Sequence, residues 1–259
     1  LKIKSGIALC SNAALELASG DFIALLDHDD ELTRDALFYV VEVLNRHPEL
    51  DILYSDEDKI DEYGRRYDPF FKPAWSPDLI LSENYVAHLF VCRRELLIQA
   101  GAFRPGFDGS QDHDLILRLI EKSDRIFHIP KVLYHWRAIA SSTASVSTQK
   151  LYAAAAARRA IEEHLERRAI AAKVVPGCFP GRWRVRYALD HEPAVSIIIA
   201  SGGKVDILRK NLESVFSKTE YGNVEVVVID NSKEAKIEKL VTMWPSPARP
   251  LRYVDWRDR

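Results

Sequence analysis

The stretch that decides the fold is Phe22-Ile23-Ala24-Leu25-Leu26-Asp27-His28-Asp29-Asp30, which passes directly from apolar to acidic residues. Its apolar half predicts a buried β-strand, and the carboxylates follow where such a strand leaves the sheet. In open α/β sheets, ligands bind outside the carboxyl ends of the strands. Carboxylate oxygens suit Mg²⁺ or Mn²⁺, which proteins commonly share with substrate phosphates. The stretch therefore predicts a metal–diphosphate site, with the acidic start of a helix as the alternative.

The composition is that of an ordinary globular protein. The chain has 259 residues, 47% of them hydrophobic, and a formal net charge of −2. This length fits one large domain or two small ones, and the charge gives no reason to expect a nucleic-acid partner. Cys10, Cys92 and Cys178 are scattered and predict free thiols in a reducing cytosol. Because no apolar run has membrane-spanning length, we expect a cytoplasmic protein whose membrane contact, if any, is peripheral.

Apolar runs and helical patterns alternate along the chain and predict the α/β class. The predicted helices are 7–19, 33–46, 94–100, 112–122 and 150–168, and the predicted strands are 22–26, 51–54, 85–92 and 126–129. We expect the acidic run Asp56-Glu57-Asp58 to lie in a solvated turn, with an acceptor or nucleotide contact as the alternative. The pattern restarts near residue 195, where strands 195–200 and 224–229 flank an amphipathic helix at 205–218. This arrangement predicts a βαβ unit with parallel strands.

Several motifs, taken in order, resemble those of glycosyltransferase family 2. Asn12 lies in the helix that precedes Leu26-Asp27-His28-Asp29-Asp30, which matches the family's Asp-x-Asp element. Gly109-Ser110-Gln111-Asp112-His113-Asp114-Leu115 matches its catalytic Glu/Gln-Asp element, and Leu133-Tyr134-His135-Trp136-Arg137 its closing element. Tyr54–Asp58 and Lys72–Leu79 look like a subgroup with tandem transferase domains in bacterial surface-polysaccharide synthesis. The resemblance covers about residues 5–190 and implies a GT-A fold, a mostly parallel, Rossmann-like sheet flanked by helices.

The resemblance also implies a role for each matching residue. Asp29 would coordinate the Mn²⁺ or Mg²⁺ that bridges the donor diphosphate, with His135 as a third protein ligand. Asp27 would contact the nucleotide ribose or a metal-bound water. Asn12 would face the donor, and Arg137 would contact its diphosphate.

Asp112 would act as the general base. It would take the proton from the acceptor hydroxyl while that oxygen attacks the anomeric carbon. A single base opposite a leaving diphosphate implies inversion, and the metal would offset the charge on the leaving group.

The residues alone leave a plainer alternative for each of these sites. Asp112 also fits a helix cap, and His135 also fits a core histidine between aromatic neighbours. Arg137 fits a surface ion pair equally well. We expect His28 and His113 to face solvent.

The order of the elements departs from that of a family 2 domain. We expect residues 1–190 to form the metal-binding and acceptor part, which lacks the nucleoside-binding opening. Residues 191–259 match such a strand–helix–strand opening. Asp230 lies at the position that contacts the nucleotide base in the family; the alternative is that it is a turn residue. A sheet without its first strands would expose an apolar edge. We therefore expect residues 195–255 to complete it, in cis or in a domain-swapped homodimer. The alternative is a tandem transferase, with the back of one domain before the front of the next.

The sequence thus predicts an inverting, metal-dependent glycosyltransferase. Its donor would be a UDP- or dTDP-type sugar and its acceptor a saccharide or lipid-linked saccharide, in bacterial O-antigen or related polysaccharide synthesis. The alternative is an inactive fragment or a glycan- or nucleotide-binding module that keeps the fold. A metal-dependent phosphohydrolase is disfavoured, because the sequence lacks a second dense carboxylate–histidine cluster.

Overall fold

The computed structural model describes residues 6–137, 146–232, 235–245 and 249–256, without the side chains of 146–151. The chain divides into two compact units, Leu1–Ala188 and Leu189–Arg259. The first unit contains α1 (Gly6–Leu17), β1 (Phe22–Leu25), β2 (Glu31–Leu32), α2 (Ala36–Arg46), β3 (Ile52–Ile60), β4 (Arg66–Phe70), α3 (Pro77–Ile80), β5 (Phe90–Arg93), α4 (Arg94–Gln99), α5 (Gln111–Ile120), β6 (Ile126–Arg137), α6 (Val146–Arg167), β7 (Ala172–Pro176) and β8 (Trp183–Tyr187).

The main sheet of the first unit has six strands in a mixed arrangement. Its order is β1-β5-β3-β6-β2, and β4 pairs with β3. Among the described strands of this sheet, β3 and β6 form the only parallel pair of neighbours, and β5 is antiparallel to both of its neighbours. The α/β class is confirmed, but the expectation of a mostly parallel sheet is wrong for this unit. Apolar runs identify strands, yet they do not give a strand's direction relative to its neighbours.

The sheet has a hydrophobic core on each face. Successive residues of a strand point to opposite faces, and β3 shows this directly, because Ile52 and Tyr54 belong to one core and Leu53 to the other. Helices α5 and α6 cover the first core, and α2 covers the second. Strand β3 is therefore buried on both sides.

Strand β3 continues beyond the predicted strand and carries the run Asp56-Glu57-Asp58 into the interior. The expectation of a solvated turn is wrong, because these carboxylates have internal partners. Asp56 Oδ1 lies 2.7 Å from His128 Nε2, Glu57 Oε2 lies 3.1 Å from Lys72 Nζ, and Asp58 Oδ2 accepts from Arg66 Nε over 2.6 Å. A buried carboxylate is tolerated when it is paired in this way.

The second unit is a small parallel α/β layer. It contains β9 (Val195–Ser201), α7 (Val205–Lys218), β10 (Val224–Asp230), α8 (Lys236–Thr242) and β11 (Leu251–Asp255). Strand β10 lies between β9 and β11 and is parallel to both, which confirms the predicted parallel pairing. Alternate residues of β10, among them Val226 and Val228, are buried against the two helices.

No helix in the described part of the chain is long and apolar enough to cross a membrane.

Candidate active site

The acidic turn after β1 brings two carboxylates and a distant histidine together. The backbone N–H of Asp30 donates to the carbonyl of Asp27 over 3.2 Å, which closes the turn. One possible ligand atom each from Asp27, Asp30 and His88 lies within 4.8 Å of the others. His88 Nε2 is 3.7 Å from Asp27 Oδ2. We call these three residues the acidic–histidine group.

Two residues of β6 hold the turn in place. The Tyr134 hydroxyl donates to Asp30 Oδ2 over 2.5 Å and accepts from the backbone N–H of Asp27 over 3.2 Å. The backbone N–H of Arg137 donates to Asp30 Oδ1 over 2.8 Å, and its Nε donates to the carbonyl of Asp29 over 2.8 Å. An ionised carboxylate offers about four lone-pair sites. Asp30 therefore keeps acceptor capacity for a cation.

The protonation state of His88 suits metal binding. Burial, together with the smaller effect of the positive charge of Lys72, lowers the pKa of its imidazole to about 4. The ring also contacts that of Tyr134, with centroids 4.7 Å apart. Neutral imidazole is the form that binds metals. His88 is consequently ready to act as a ligand at neutral pH.

The electrostatics of Asp27 also fit a cation. Partial burial raises the pKa of its carboxyl, and the negative charges of Asp30, Asp112 and Asp29 raise it further. Carboxylates that repel one another in this way are stabilised by a nearby positive charge. Two carboxylates and one neutral imidazole are a donor set for a divalent cation. The acidic–histidine group therefore fits the metal that the sequence predicts.

Asp112, at the start of α5, faces the same cleft. Its Oδ2 accepts from Asn84 Nδ2 over 2.8 Å, and its Oδ1 accepts from the backbone N–H of His113 over 2.8 Å. Burial raises the pKa of its carboxyl. The cleft encloses about 110 Å³, and its walls are Ile7, Ser11, Leu25, Leu26, Asp27, Ala87, His88, Phe90, Phe103, Gln111, Asp112 and Ile116. A proton acceptor and two members of the acidic–histidine group thus share one cavity.

Two predicted metal ligands lie outside this group. The Asp29 carboxylate is partly exposed and lies 3.6 Å from His28 Nδ1. His135 uses its Nδ1 to pair with Asp58 Oδ1 in the interior. Both differences have a local cause. The turn brings its first and fourth residues, Asp27 and Asp30, together. Because successive residues of a strand point to opposite faces of the sheet, His135 does not share a face with Tyr134.

The side chains of the predicted donor contacts already have internal partners. Asn12 Nδ2 donates to the carbonyl of Phe103 over 2.8 Å, and Asn12 Oδ1 accepts from the Phe103 N–H over 2.9 Å. The Arg137 guanidinium pairs with Glu31 at the turn. In the second unit, buried Asp230 accepts from the backbone N–H of Ser232 over 2.9 Å, as a turn residue does.

Sequence reasoning missed Asp30, His88 and Asn84 as site residues. The interval from residue 85 to 92 alternates well enough for a strand, so His88 was expected inside one. In the structure β5 begins only at Phe90, and the preceding segment is a loop. His113, expected to face solvent, is buried, with Nε2 2.7 Å from the carbonyl of Ile80. A histidine close to an Asp-x-Asp strand in space gives no local signal in the sequence.

The first part of the chain matches a known protein family. Residues 1–101 match the family model described as glycosyl transferase family 2. The matched region contains the whole acidic–histidine group and ends before Asp112. This match agrees with the predicted GT-A fold, here built with a mixed sheet.

Two curated relatives extend the similarity beyond the family 2 region. Protein y4gI of Sinorhizobium fredii is 49% identical over 224 residues, which cover 85% of this chain and 25% of the relative. The O-antigen biosynthesis protein RfbC of Myxococcus xanthus is 41% identical over 241 residues, which cover 93% of this chain and 19% of the relative. The chain thus spans about a quarter or less of these relatives.

Among solved structures, the chain is similar to S. aureus TarS. The form in complex with UDP-GlcNAc has a TM-score of 0.46 and 18% identity, covering 64% of this chain and 54% of that chain. The complex with UDP gives a TM-score of 0.44 and 19% identity, covering 64% and 53%.

Proposed function

We propose that this chain is part of an inverting, metal-dependent glycosyltransferase that acts in bacterial surface-polysaccharide synthesis. One observation carries the proposal: Asp27 and His88 of the acidic–histidine group line the same cleft as Asp112. The match of residues 1–101 to family 2 and the similarity to a protein named for O-antigen biosynthesis support it. The acceptor would be a saccharide or lipid-linked saccharide, at the cytoplasmic side and with peripheral membrane contact.

Asp27, Asp30 and His88 would hold the metal. We favour Mn²⁺ over Mg²⁺, because imidazole suits Mn²⁺ better than it suits Mg²⁺, which prefers oxygen ligands and bound water. When bound, the metal supplies positive charge that offsets the negative charge on the leaving diphosphate. Tyr134 and Arg137 keep the turn in the shape that binding requires.

Asp112 would act as the general base, and Asn84 would orient it. The acceptor oxygen forms a bond to the anomeric carbon as the bond from that carbon to the diphosphate oxygen breaks. The hydroxyl proton moves to Asp112, and the electron pair of the broken bond leaves with the diphosphate. A raised pKa makes Asp112 a stronger base than an exposed aspartate.

The donor would be a nucleoside diphosphate sugar of UDP or dTDP type. The cleft of about 110 Å³ is smaller than the roughly 300–1,000 Å³ of pockets for comparable ligands. Further walls are needed for the nucleoside. We propose that residues 195–255 supply them, in cis or from a second copy.

The test is Asp112→Asn, which keeps the shape of the side chain and removes the base. UDP and dTDP binding with Mn²⁺ should persist. Release of UDP or dTDP from a panel of their sugar conjugates, with saccharide acceptors, should fall about 10²–10⁴-fold. If the wild type binds nucleotide but releases none with any acceptor, the chain is a binding module. If Asp112→Asn turns over like the wild type, Asp112 is not the base.

A further inference from the structure

A buried ion pair lies behind His88 and is used by none of the steps above. Lys72 has no exposed side-chain surface, and its Nζ lies 3.1 Å from Oε2 of Glu57, whose side chain is 14% exposed. The lowering effect of burial outweighs the raising effect of Glu57, and the pKa of the Lys72 amine is lowered to about 8.

The pair holds both backbone polar groups of His88. Glu57 Oε2 accepts from the His88 N–H, and Lys72 Nζ donates to the His88 carbonyl. Lys72 Nζ also donates to the carbonyl of Val86 over 3.2 Å. The ammonium has three hydrogens, and these acceptors use all of them. Lys72 is itself fixed by its backbone N–H, which donates to Asp56 Oδ1 over 2.9 Å.

Stability alone gives a weak reason for this arrangement. Charges are costly to bury, and apolar residues of similar volume often replace a buried pair without loss of stability. The segment 81–89, described throughout, contains no helix or strand that would fix its backbone. His88 must nevertheless stay within reach of Asp27 and Asp30 if the three are to share a cation.

We propose that Lys72 and Glu57 are positioning residues that hold His88 in place for metal coordination. The inference rests on the proposed metal function of the acidic–histidine group. The pair acts on the backbone of His88 and touches neither metal nor donor. Groups that orient metal ligands commonly change metal affinity about 10–100-fold when they are removed.

The test is the double variant Lys72→Met/Glu57→Gln, which removes both charges and keeps the approximate shape. We expect a folded protein with an unfolding midpoint close to that of the wild type. The dissociation constant for Mn²⁺, measured by electron paramagnetic resonance without nucleotide, should rise about 10–100-fold. The control is Asp51→Asn/Arg93→Met, which removes an ion pair (2.8 Å) between buried Asp51, just before β3, and partly exposed Arg93, and should leave Mn²⁺ affinity unchanged.

His88→Ala separates this inference from the proposed function. In that background the double substitution should cause no further loss of Mn²⁺ affinity. If His88→Ala weakens Mn²⁺ binding but the double variant does not, only the positioning inference is overturned. If the wild type does not bind Mn²⁺, or His88→Ala binds it equally well, the metal group itself fails and the inference fails with it. If the double variant does not fold, Glu57→Gln alone is measured and interpreted in the same way.

Discussion

Tyr134 contacts all three members of the acidic–histidine group. Its hydroxyl bridges Asp30 and the backbone of Asp27, and its ring packs on that of His88. At the scale of single residues, the geometry of the site therefore depends on a phenol that is buried beneath it.

Tyr134→Phe should weaken Mn²⁺ binding about tenfold, because the hydroxyl orients the Asp30 carboxylate and holds the backbone of Asp27. The control is Tyr54→Phe, which removes an equally buried hydroxyl that donates to the carbonyl of Pro73 over 2.7 Å. Each variant should lose about 1 kcal/mol in the free energy of unfolding. Calorimetric titration with Mn²⁺ should separate them, and equal affinities would remove Tyr134 from the site.

His113 should make the fold sensitive to acid. Burial lowers the pKa of its imidazole from 6.5 to about 4, so the folded state disfavours its protonation. Its contribution to stability is present above pH 6.5 and is lost as the pH falls through about 4. The loss amounts to about 3 kcal/mol. His113→Gln should flatten the urea-unfolding free energy between pH 6.5 and 4, and an unchanged slope would contradict this.

The sequence predicted two residues that line the cleft, Asp27 and Asp112, and missed Asp30, His88 and Asn84. Asp27 and Asp112 follow from a strand end and a helix start, which are local signals. Asp30 depends on how a four-residue turn closes, and His88 on a loop whose backbone is held by residues far along the chain. Such contacts are set by tertiary structure, so a single sequence does not indicate them.

Helix α1 forms part of the cleft wall, and Asn12 joins it by two hydrogen bonds to Phe103 in the loop before α5. Periodicity predicted this helix and most other elements, since the pattern of apolar residues is set by burial. It did not predict that β3 extends through charged residues, because their partners come from other elements. Nor did it predict that β5 runs antiparallel to both of its neighbours.

Asn12→Ala should lower the free energy of unfolding by about 1–3 kcal/mol, because two hydrogen bonds to Phe103 are lost. Urea unfolding measures the change. The donor contact predicted from the sequence would give a different result, namely unchanged stability with UDP binding abolished.

At the scale of the whole molecule, the proposed donor site needs both units. Among the described strands, β1 lies at one end of its sheet, and β9 lies at one end of the sheet in the second unit. End strands with free edges are places where further pairing occurs. The proposal that residues 195–255 complete the first sheet therefore requires β9 to take part in this pairing.

Ile198→Lys, on β9, should lower Mn²⁺-dependent UDP affinity at least tenfold if that strand is needed. The matched control is Ile207→Lys on α7, because the two isoleucines are similarly exposed, at 67% and 63%. Both variants should keep the fold of the second unit. Equal UDP affinity in the two would contradict completion by β9. Sedimentation of the wild type then distinguishes a domain-swapped homodimer from completion in cis.

The most direct measurement is calorimetric titration of UDP, dTDP and GDP, with and without Mn²⁺, on the wild type and on Asp27→Asn and Asp29→Asn. We predict that UDP or dTDP binds only with Mn²⁺, that Asp27→Asn abolishes binding, and that Asp29→Asn weakens it less. Binding that is independent of Mn²⁺, or absent for all three nucleotides, would contradict a metal–donor site built by Asp27, Asp30 and His88.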